Sequence, residues 1–206
     1  MTRLLLVRHG ETSWNGERRL QGQEDIPLSA RGLEQARALA PVVRSFRPAT
    51  VVGSDLLRAT QTAAALGYPE VVRDRRLREA HLGAWVGLSA ADLMRTDPDA
   101  YLAWRQGTLT PPEGESFETL MGRVRAALED VLGAPSPVLV VTHGGVVRAA
   151  LALLLGLYPD RIVPVSPASL TVVDVPAGVT RVGADAGARL HSLNVTGYAA
   201  LEPAPD

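Results

Sequence analysis

The sequence predicts an α/β fold, a three-layer α/β/α sandwich around a mainly parallel sheet. Short apolar runs alternate along the chain with longer amphipathic segments, which is the order expected of strands joined by crossover helices. The runs at Arg3–Arg8 and Pro137–Val141 are apolar without alternation, as in strands covered on both faces. The chain has 206 residues, of which 46% are hydrophobic and 21% charged, so we expect a single domain over residues 1–206.

Caps and breakers divide the first half of the chain into strands and helices. A serine before an apolar stripe predicts a helix start, and a following glycine or proline predicts its end. Short valine- and leucine-rich runs predict buried strands. In chain order, the predicted elements are a strand at Arg3–Arg8, a helix capped by Ser29 whose stripe reaches Val43, a strand at Thr50–Gly53, a helix opened by Ser54 and Asp55 and ending near Gly67, and a short strand near Val71–Val72.

The second half resumes this alternation after a mixed segment from Leu77 to Gly114. Within that segment we expect a short lid-like helical insertion at about 88–115. The predicted elements are helices at Ala90–Met94 and Asp99–Arg105, a long helix from Ser116 to about Leu132, a strand at Pro137–Val141, a helix at Val146–Leu155, and strands at Ser169–Val175, Arg181–Val182 and Arg189–Leu193, the last two as a hairpin or sheet edge.

Composition excludes several classes of partner and of chemistry. The formal net charge is −1, so no global field favours nucleic acid or an anionic membrane. The chain has no cysteine and no lysine, which excludes thiolate nucleophiles, Schiff bases and a lysine-dependent phosphate loop. Arginine is then the strong cation left for binding phosphate, although genomic base composition explains the same bias more simply.

The stretch Val138–Tyr158 is the one candidate for a membrane span. It contains His143, Arg148 and a double glycine, so a buried strand followed by a buried helix is the better interpretation. The apolar run Leu4–Val7 is too short for a secretory signal. We therefore expect a cytoplasmic protein with no nucleic acid or membrane partner, and a homodimer is left open.

Chemistry is expected beyond the carboxyl ends of the strands, where open α/β sheets bind ligands. The side chains predicted there are cationic or N–H donating, with one carboxylate among them. A glycine after each histidine lets backbone approach a ligand, and the helix after the second histidine presents its N-terminus to anions. These features imply a phosphoryl ligand. The residues are Arg8, His9, Arg58, Glu79, His143 and Gly144.

A neutral imidazole is the nucleophile that this set favours. No nearby serine or threonine stands in a base-activated arrangement, whereas a histidine nitrogen can attack phosphorus and carry a covalent intermediate. Glu79 is the carboxylate placed to protonate the leaving group and then to deprotonate water. The simpler alternatives are structural histidines, Arg58 as a surface cation, and Glu79 as a surface partner of Arg76 or Arg78.

Four segments resemble the motifs of the histidine phosphatase superfamily, also called phosphoglycerate mutase-like. They occur in family order and span residues 3 to about 155. The segments are LVRHGET from Leu6 with Trp14 and Asn15 after it, SDLLRATQTA from Ser54, Leu77-Arg78-Glu79, and VTHGG from Val141.

This resemblance implies an α/β/α sandwich and a set of roles. It makes His9 the phosphorylated residue and Glu79 the acid/base. It implies a small-molecule phosphoester as substrate and inorganic phosphate as product, with no metal and no organic cofactor. The phosphate-binding residues that it implies, together with the backbone at Gly144, are Arg8, Asn15, Gln21, Arg58 and His143.

The segment Ser89–Glu113 favours the phosphatase branch of that family. Mutases usually carry a longer basic insertion at this point, whereas this segment has Arg95 and Arg105 as its cations. The chain therefore resembles the small broad-specificity phosphatases, the α-ribazole phosphatases and the glucosyl-3-phosphoglycerate phosphatases. A phosphoglycerate-type mutase and a non-catalytic module that binds a phospho-ligand are the two alternatives.

Overall fold

A computed structural model describes residues 1–198 and contains a six-stranded sheet. The strands are β1 (Thr2–Arg8), β2 (Thr50–Gly53), β3 (Val72–Arg73), β4 (Val138–Thr142), β5 (Ser169–Val175) and β6 (Arg189–Thr196). The sheet order is β3-β2-β4-β1-β5-β6. The β1–β4, β2–β4 and β2–β3 pairs are parallel, while β5 is antiparallel to β1 and β6 to β5. The predicted mainly parallel sheet is therefore confirmed.

Helices cover both faces of the sheet and complete the predicted three layers. The helices are α1 (Ser13–Gly16), α2 (Ala30–Ser45), α3 (Leu57–Leu66), α4 (Ala90–Thr96), α5 (Pro98–Arg105), α6 (Phe117–Leu132) and α7 (Gly144–Leu155). Successive side chains of a strand point to opposite faces. Leu4 and Leu6 of β1 accordingly pack in the core formed with α6 and α7, whereas Leu5 and Val7 pack in the core formed with α2 and α3.

Several helix ends follow directly from the predicted caps. The Ser29 side chain accepts a hydrogen bond from the Gly32 amide, and the Ser116 side chain accepts one from the Thr119 amide. A glycine in the left-handed conformation, Gly67, ends α3. Within residues 1–198, no helix is both long and apolar enough to cross a bilayer.

Two predicted elements differ from the structure, each because its residues contact a part of the chain that is distant in sequence. The helix after β2 begins at Leu57 rather than at Ser54, because the Asp55 carboxylate binds Arg78 and the Leu57 amide instead donates to Asp25, at 2.6 Å.

Residues 181–182 form no strand. Val182 is only 2% exposed, and its amide donates to the Glu129 carboxylate at 3.0 Å, so its apolar character reflects burial beside α6.

Candidate active site

The two predicted site histidines follow neighbouring parallel strands. Arg8, the last residue of β1, is paired in register with Thr142, the last residue of β4. His9 and His143 therefore emerge at the same level of the sheet, and the His9 amide donates to the Thr142 carbonyl at 2.8 Å. The centroids of the two imidazole rings lie 5.2 Å apart. The structure thus brings both rings to one point at the carboxyl edge.

His9 is held in one tautomer by its own loop. Its Nδ1 lies 2.7 Å from the Gly10 carbonyl oxygen, which can only accept, so Nδ1 carries the proton and Nε2 keeps its lone pair. The Gly10 amide donates to Thr62 Oγ1 at 3.0 Å, which fixes the loop against α3. Burial, reinforced by the charges of Arg58 and Arg8, holds the pKa of His9 well below its usual range. The ring is therefore neutral, with a nucleophilic nitrogen.

Arg58 is fully buried, which contradicts its interpretation as a surface cation. Its guanidinium donates to the Glu24 carbonyl at 2.6 Å, to the Gly22 carbonyl at 2.7 Å and to His143 Nδ1 at 3.2 Å. Burial lowers the pKa of Arg58 to about 10, so the side chain stays charged at neutral pH. Three of its donors are thus used to fix its own position and that of the second histidine.

His143 complements His9 with the opposite polarity. Because its Nδ1 accepts from Arg58, its proton is on Nε2. That buried Nε2 has no hydrogen-bond partner among the described residues. Burial first, and then the charge of Arg58, lowers the pKa of His143 well below its usual range. A buried N–H donor without a partner is costly, and an anion in the cavity would satisfy it.

Glu79 reaches the same site from the loop after a single 3₁₀ turn at Arg75–Leu77. Its Oε1 accepts from the Ala80 amide at 2.9 Å, and its Oε2 accepts from the Gly145 amide in the first turn of α7, at 3.1 Å. The alternative of a surface pair with Arg76 or Arg78 is wrong, because both arginines bind aspartates.

The remaining predicted residues line the same cavity. Arg8 donates to the Val165 carbonyl, and Gly144 stands at the start of α7. Asn15 uses its amide oxygen to cap α1, accepting from the Thr12 amide and hydroxyl at 3.1 Å, so its NH₂ is the group that it can offer a ligand. Gln21 is buried, and its Oε1 has no partner within residues 1–198.

Above this polar floor, the cavity wall is largely apolar. Trp104 and Arg105 reach it from α5, in the helical insertion, and Arg148 reaches it from α7. The floor is therefore suited to a phosphate and the wall to the carbon skeleton of an ester. The apolar side chains of the wall are Leu20, Ala80, Leu82, Trp104, Leu109, Phe117, Leu120, Pro159, Pro164 and Val165.

Four polar residues that support the site were not predicted. Thr62 and Thr142 lie inside quoted motifs and bind the Gly10 amide and the Leu77 carbonyl. Gln23 and Arg123 both donate to the Glu79 carbonyl, from 56 and 44 residues away. Thr62 lies one helical turn after Arg58, and Thr142 lies directly before His143, so both positions could have been predicted to support the site. For Gln23 and Arg123, no local pattern reveals such distant partners.

Known proteins resemble this chain over most of its length. Residues 4–184 match the model of the histidine phosphatase superfamily (branch 1). The glucosyl-3-phosphoglycerate phosphatase of Mycolicibacterium vanbaalenii is 40% identical over 77% of this chain and 76% of its own. A probable phosphoglycerate mutase of an Enterobacter species is 37% identical over 84% of this chain and 85% of its own.

Solved structures show the same fold. A mycobacterial glucosyl-3-phosphoglycerate phosphatase in complex with inorganic phosphate superposes with a TM-score of 0.81 at 36% identity. The superposition covers 95% of this chain and 98% of that one.

Proposed function

The chain belongs to the histidine phosphatase superfamily and is a hydrolase of small phosphomonoesters, and we propose that it works through a phosphohistidine formed at His9. The observation that carries this proposal is the opposite polarity of the two buried rings. One imidazole offers a lone pair and the other an N–H, with their centroids 5.2 Å apart. That arrangement suits a nucleophile facing phosphorus beside a donor to a phosphoryl oxygen.

In the first step, His9 Nε2 attacks phosphorus in line with the ester oxygen. The N–P bond forms as the P–O bond to the alcohol breaks, and the leaving oxygen takes the proton of Glu79. Arg8, Arg58 and His143 donate to the phosphoryl oxygens and stabilise their charge in the transition state.

In the second step, water attacks the phosphohistidine. Glu79, now a carboxylate, takes a proton from that water, the N–P bond breaks, and inorganic phosphate and neutral His9 are released. Glu79 ends protonated and ready for the next cycle.

For the substrate, we propose a phosphorylated sugar acid, with glucosyl-3-phosphoglycerate as the first compound to test. The support is the activity for which the relatives at 40% and 36% identity are named, together with an apolar wall that a carbon skeleton can contact. We further propose that residues 88–115, with α4 and α5, act as a lid of a single domain. A cytoplasmic location, without nucleic acid or membrane partners, fits a net charge of −1.

A mutase is the second candidate because one relative is named a probable phosphoglycerate mutase. Incubation with glucosyl-3-phosphoglycerate and, separately, with 3-phosphoglycerate separates the two functions. The proposal predicts release of inorganic phosphate that His9→Ala abolishes. Isomerisation of 3-phosphoglycerate without phosphate release would establish the mutase instead. Phosphate binding without either activity would indicate a non-catalytic module.

A further inference from the structure

The backbone that carries Glu79 lacks the hydrogen bonds of regular structure. A 3₁₀ turn at Arg75–Leu77 comes just before it, and residues 78–82 belong to no helix or strand. Buried carbonyl groups in such a segment need side-chain partners. Whichever groups supply them also determine where the Glu79 carboxylate lies.

Arg123, on α6, supplies most of these partners. Its Nη1 donates to the carbonyls of Arg76, at 2.7 Å, and Arg78, at 2.5 Å, and its Nη2 donates to the carbonyl of Glu79, at 2.9 Å. The remaining carbonyl, that of Leu77, accepts from Thr142 Oγ1 at 2.8 Å. Every carbonyl from 76 to 79 is therefore bound by a side chain of α6 or β4.

Glu115 completes the contact on the other side of Glu79. Its two carboxylate oxygens each accept from the Arg123 guanidinium at 2.7 Å. Its backbone amide donates to the His81 carbonyl at 2.7 Å, and its Oε2 accepts from the His81 amide at 3.2 Å. The Glu115 and Arg123 side chains are only 10% and 19% exposed, so solvent screens this bidentate pair less than it screens a surface ion pair.

We propose that Arg123 and Glu115 are positioning residues for proton transfer: together they hold the backbone on both sides of Glu79, so that its carboxylate stays at the leaving-group oxygen. This inference rests on the proposed role of Glu79 as the acid. Among the described residues, the pair forms hydrogen bonds to the backbone around Glu79 and to no phosphate-binding side chain. The charge of Arg123 also acts on His143, and Arg123→Lys keeps that charge. Loss of the pair should therefore slow the protonation of a poor leaving group far more than phosphate binding.

Arginine is required here because of its planar fork. Its donors bind one carboxylate and three carbonyls at once, whereas a lysine ammonium has three donors on a single atom. Arg123→Lys keeps the positive charge near the site and removes this geometry. We expect the turnover of glycerol phosphate to fall about tenfold to a hundredfold. Turnover of p-nitrophenyl phosphate, whose leaving group needs little protonation, should change by less than about threefold.

The experiment compares the single-turnover release of each leaving group by wild type, Arg123→Lys, Glu79→Gln and the double variant. Arg125→Lys is the matched control, because Arg125 lies on the same helix and donates to the distant Val182 carbonyl. Glu115→Gln provides a second route if Arg123→Lys does not fold, as judged by thermal unfolding. The inhibition constant for inorganic phosphate should be unchanged in Arg123→Lys, which keeps the charge near the site.

The inference is supported if Arg123→Lys affects glycerol phosphate selectively and the double variant is no slower than Glu79→Gln alone. Equal losses on both substrates with Arg123→Lys, additive losses in the double variant, or wild-type rates would overturn it. If Glu79→Gln slows glycerol phosphate and p-nitrophenyl phosphate equally, the proposed acid is wrong. That result can be told apart from a failure of the present inference, because Arg123 is unchanged in that variant.

Discussion

Replacing Gly145 with alanine displaces the Glu79 carboxylate without altering either histidine. A Cβ at position 145 would lie 2.2 Å from Glu79 Oε1 and 3.2 Å from its carboxyl carbon, whereas ordinary contacts begin at 3.4 Å. The carboxylate oxygen must therefore move by about 1.2 Å. It is the end of a flexible side chain, so the side chain can move while the backbone stays in place.

The displacement sets the size of the effect. A shift of about 1 Å in a reacting group can lower the rate about a hundredfold, equivalent to about 2.7 kcal/mol in the activation free energy. We expect such a loss for alkyl phosphates and a smaller one for p-nitrophenyl phosphate, because only the former need the proton of Glu79. Alanine is a better helix former than glycine by up to about 1 kcal/mol, so the free energy of unfolding should not fall.

Steady-state turnover on both esters, with urea unfolding in parallel, measures these effects. Gly122→Ala is the control, because within residues 1–198 no atom beyond its chain neighbours and its own helix backbone lies within 4 Å of a Cβ built at that position. It should keep wild-type turnover. Wild-type activity of Gly145→Ala on alkyl phosphates, or a loss that accompanies unfolding, would refute the placement of Glu79 against α7.

Two further predictions concern buried titratable side chains, first the two histidines and then Arg58. The pKa values of His9 and His143 are lowered in the folded protein, so as pH falls below about 6.5 the unfolded chain takes up protons first. The stabilisation by the neutral rings is complete above that pH, and the free energy of unfolding should fall on the order of 2 kcal/mol between pH 7 and 5.5. Urea unfolding between pH 7 and 5.5 should show this fall in the free energy of unfolding for wild type and not for a His9→Gln, His143→Gln double variant. The same pH dependence in both proteins would contradict the prediction. Arg58→Lys should lower kcat/KM for p-nitrophenyl phosphate about a hundredfold or more, because one ammonium cannot hold two carbonyls and His143 together. Near-normal kcat/KM in a folded Arg58→Lys variant would show that this geometry is dispensable.

The sequence was sufficient to predict those site residues that come directly after a buried strand. The apolar runs before His9 and His143 predict two strands, and the rule for strand ends places both histidines at one edge. The register between Arg8 and Thr142 produces that proximity. Arg58 was predictable for a similar reason, since the first turn of a helix after β2 faces the same edge.

The sequence was insufficient to predict residues and helix ends whose position depends on a partner distant in the chain. Nothing near Arg123 indicates that it binds carbonyls some 45 residues away. The start of α3 depends on Asp25, 32 residues earlier, so the local Ser54-Asp55 signal was misleading. Val182 shows the converse case, because burial against another element gave a loop residue the appearance of a strand.

Identification of the phosphorylated atom decides the mechanism. Enzyme mixed with a ³²P-labelled phosphomonoester and quenched within one turnover should carry acid-labile phosphate, which peptide mapping should locate on the His9 imidazole. The label should be absent from His9→Ala and should disappear as inorganic phosphate is released. Label on His143 or on any hydroxyl, or full turnover by His9→Ala, would contradict the role of His9.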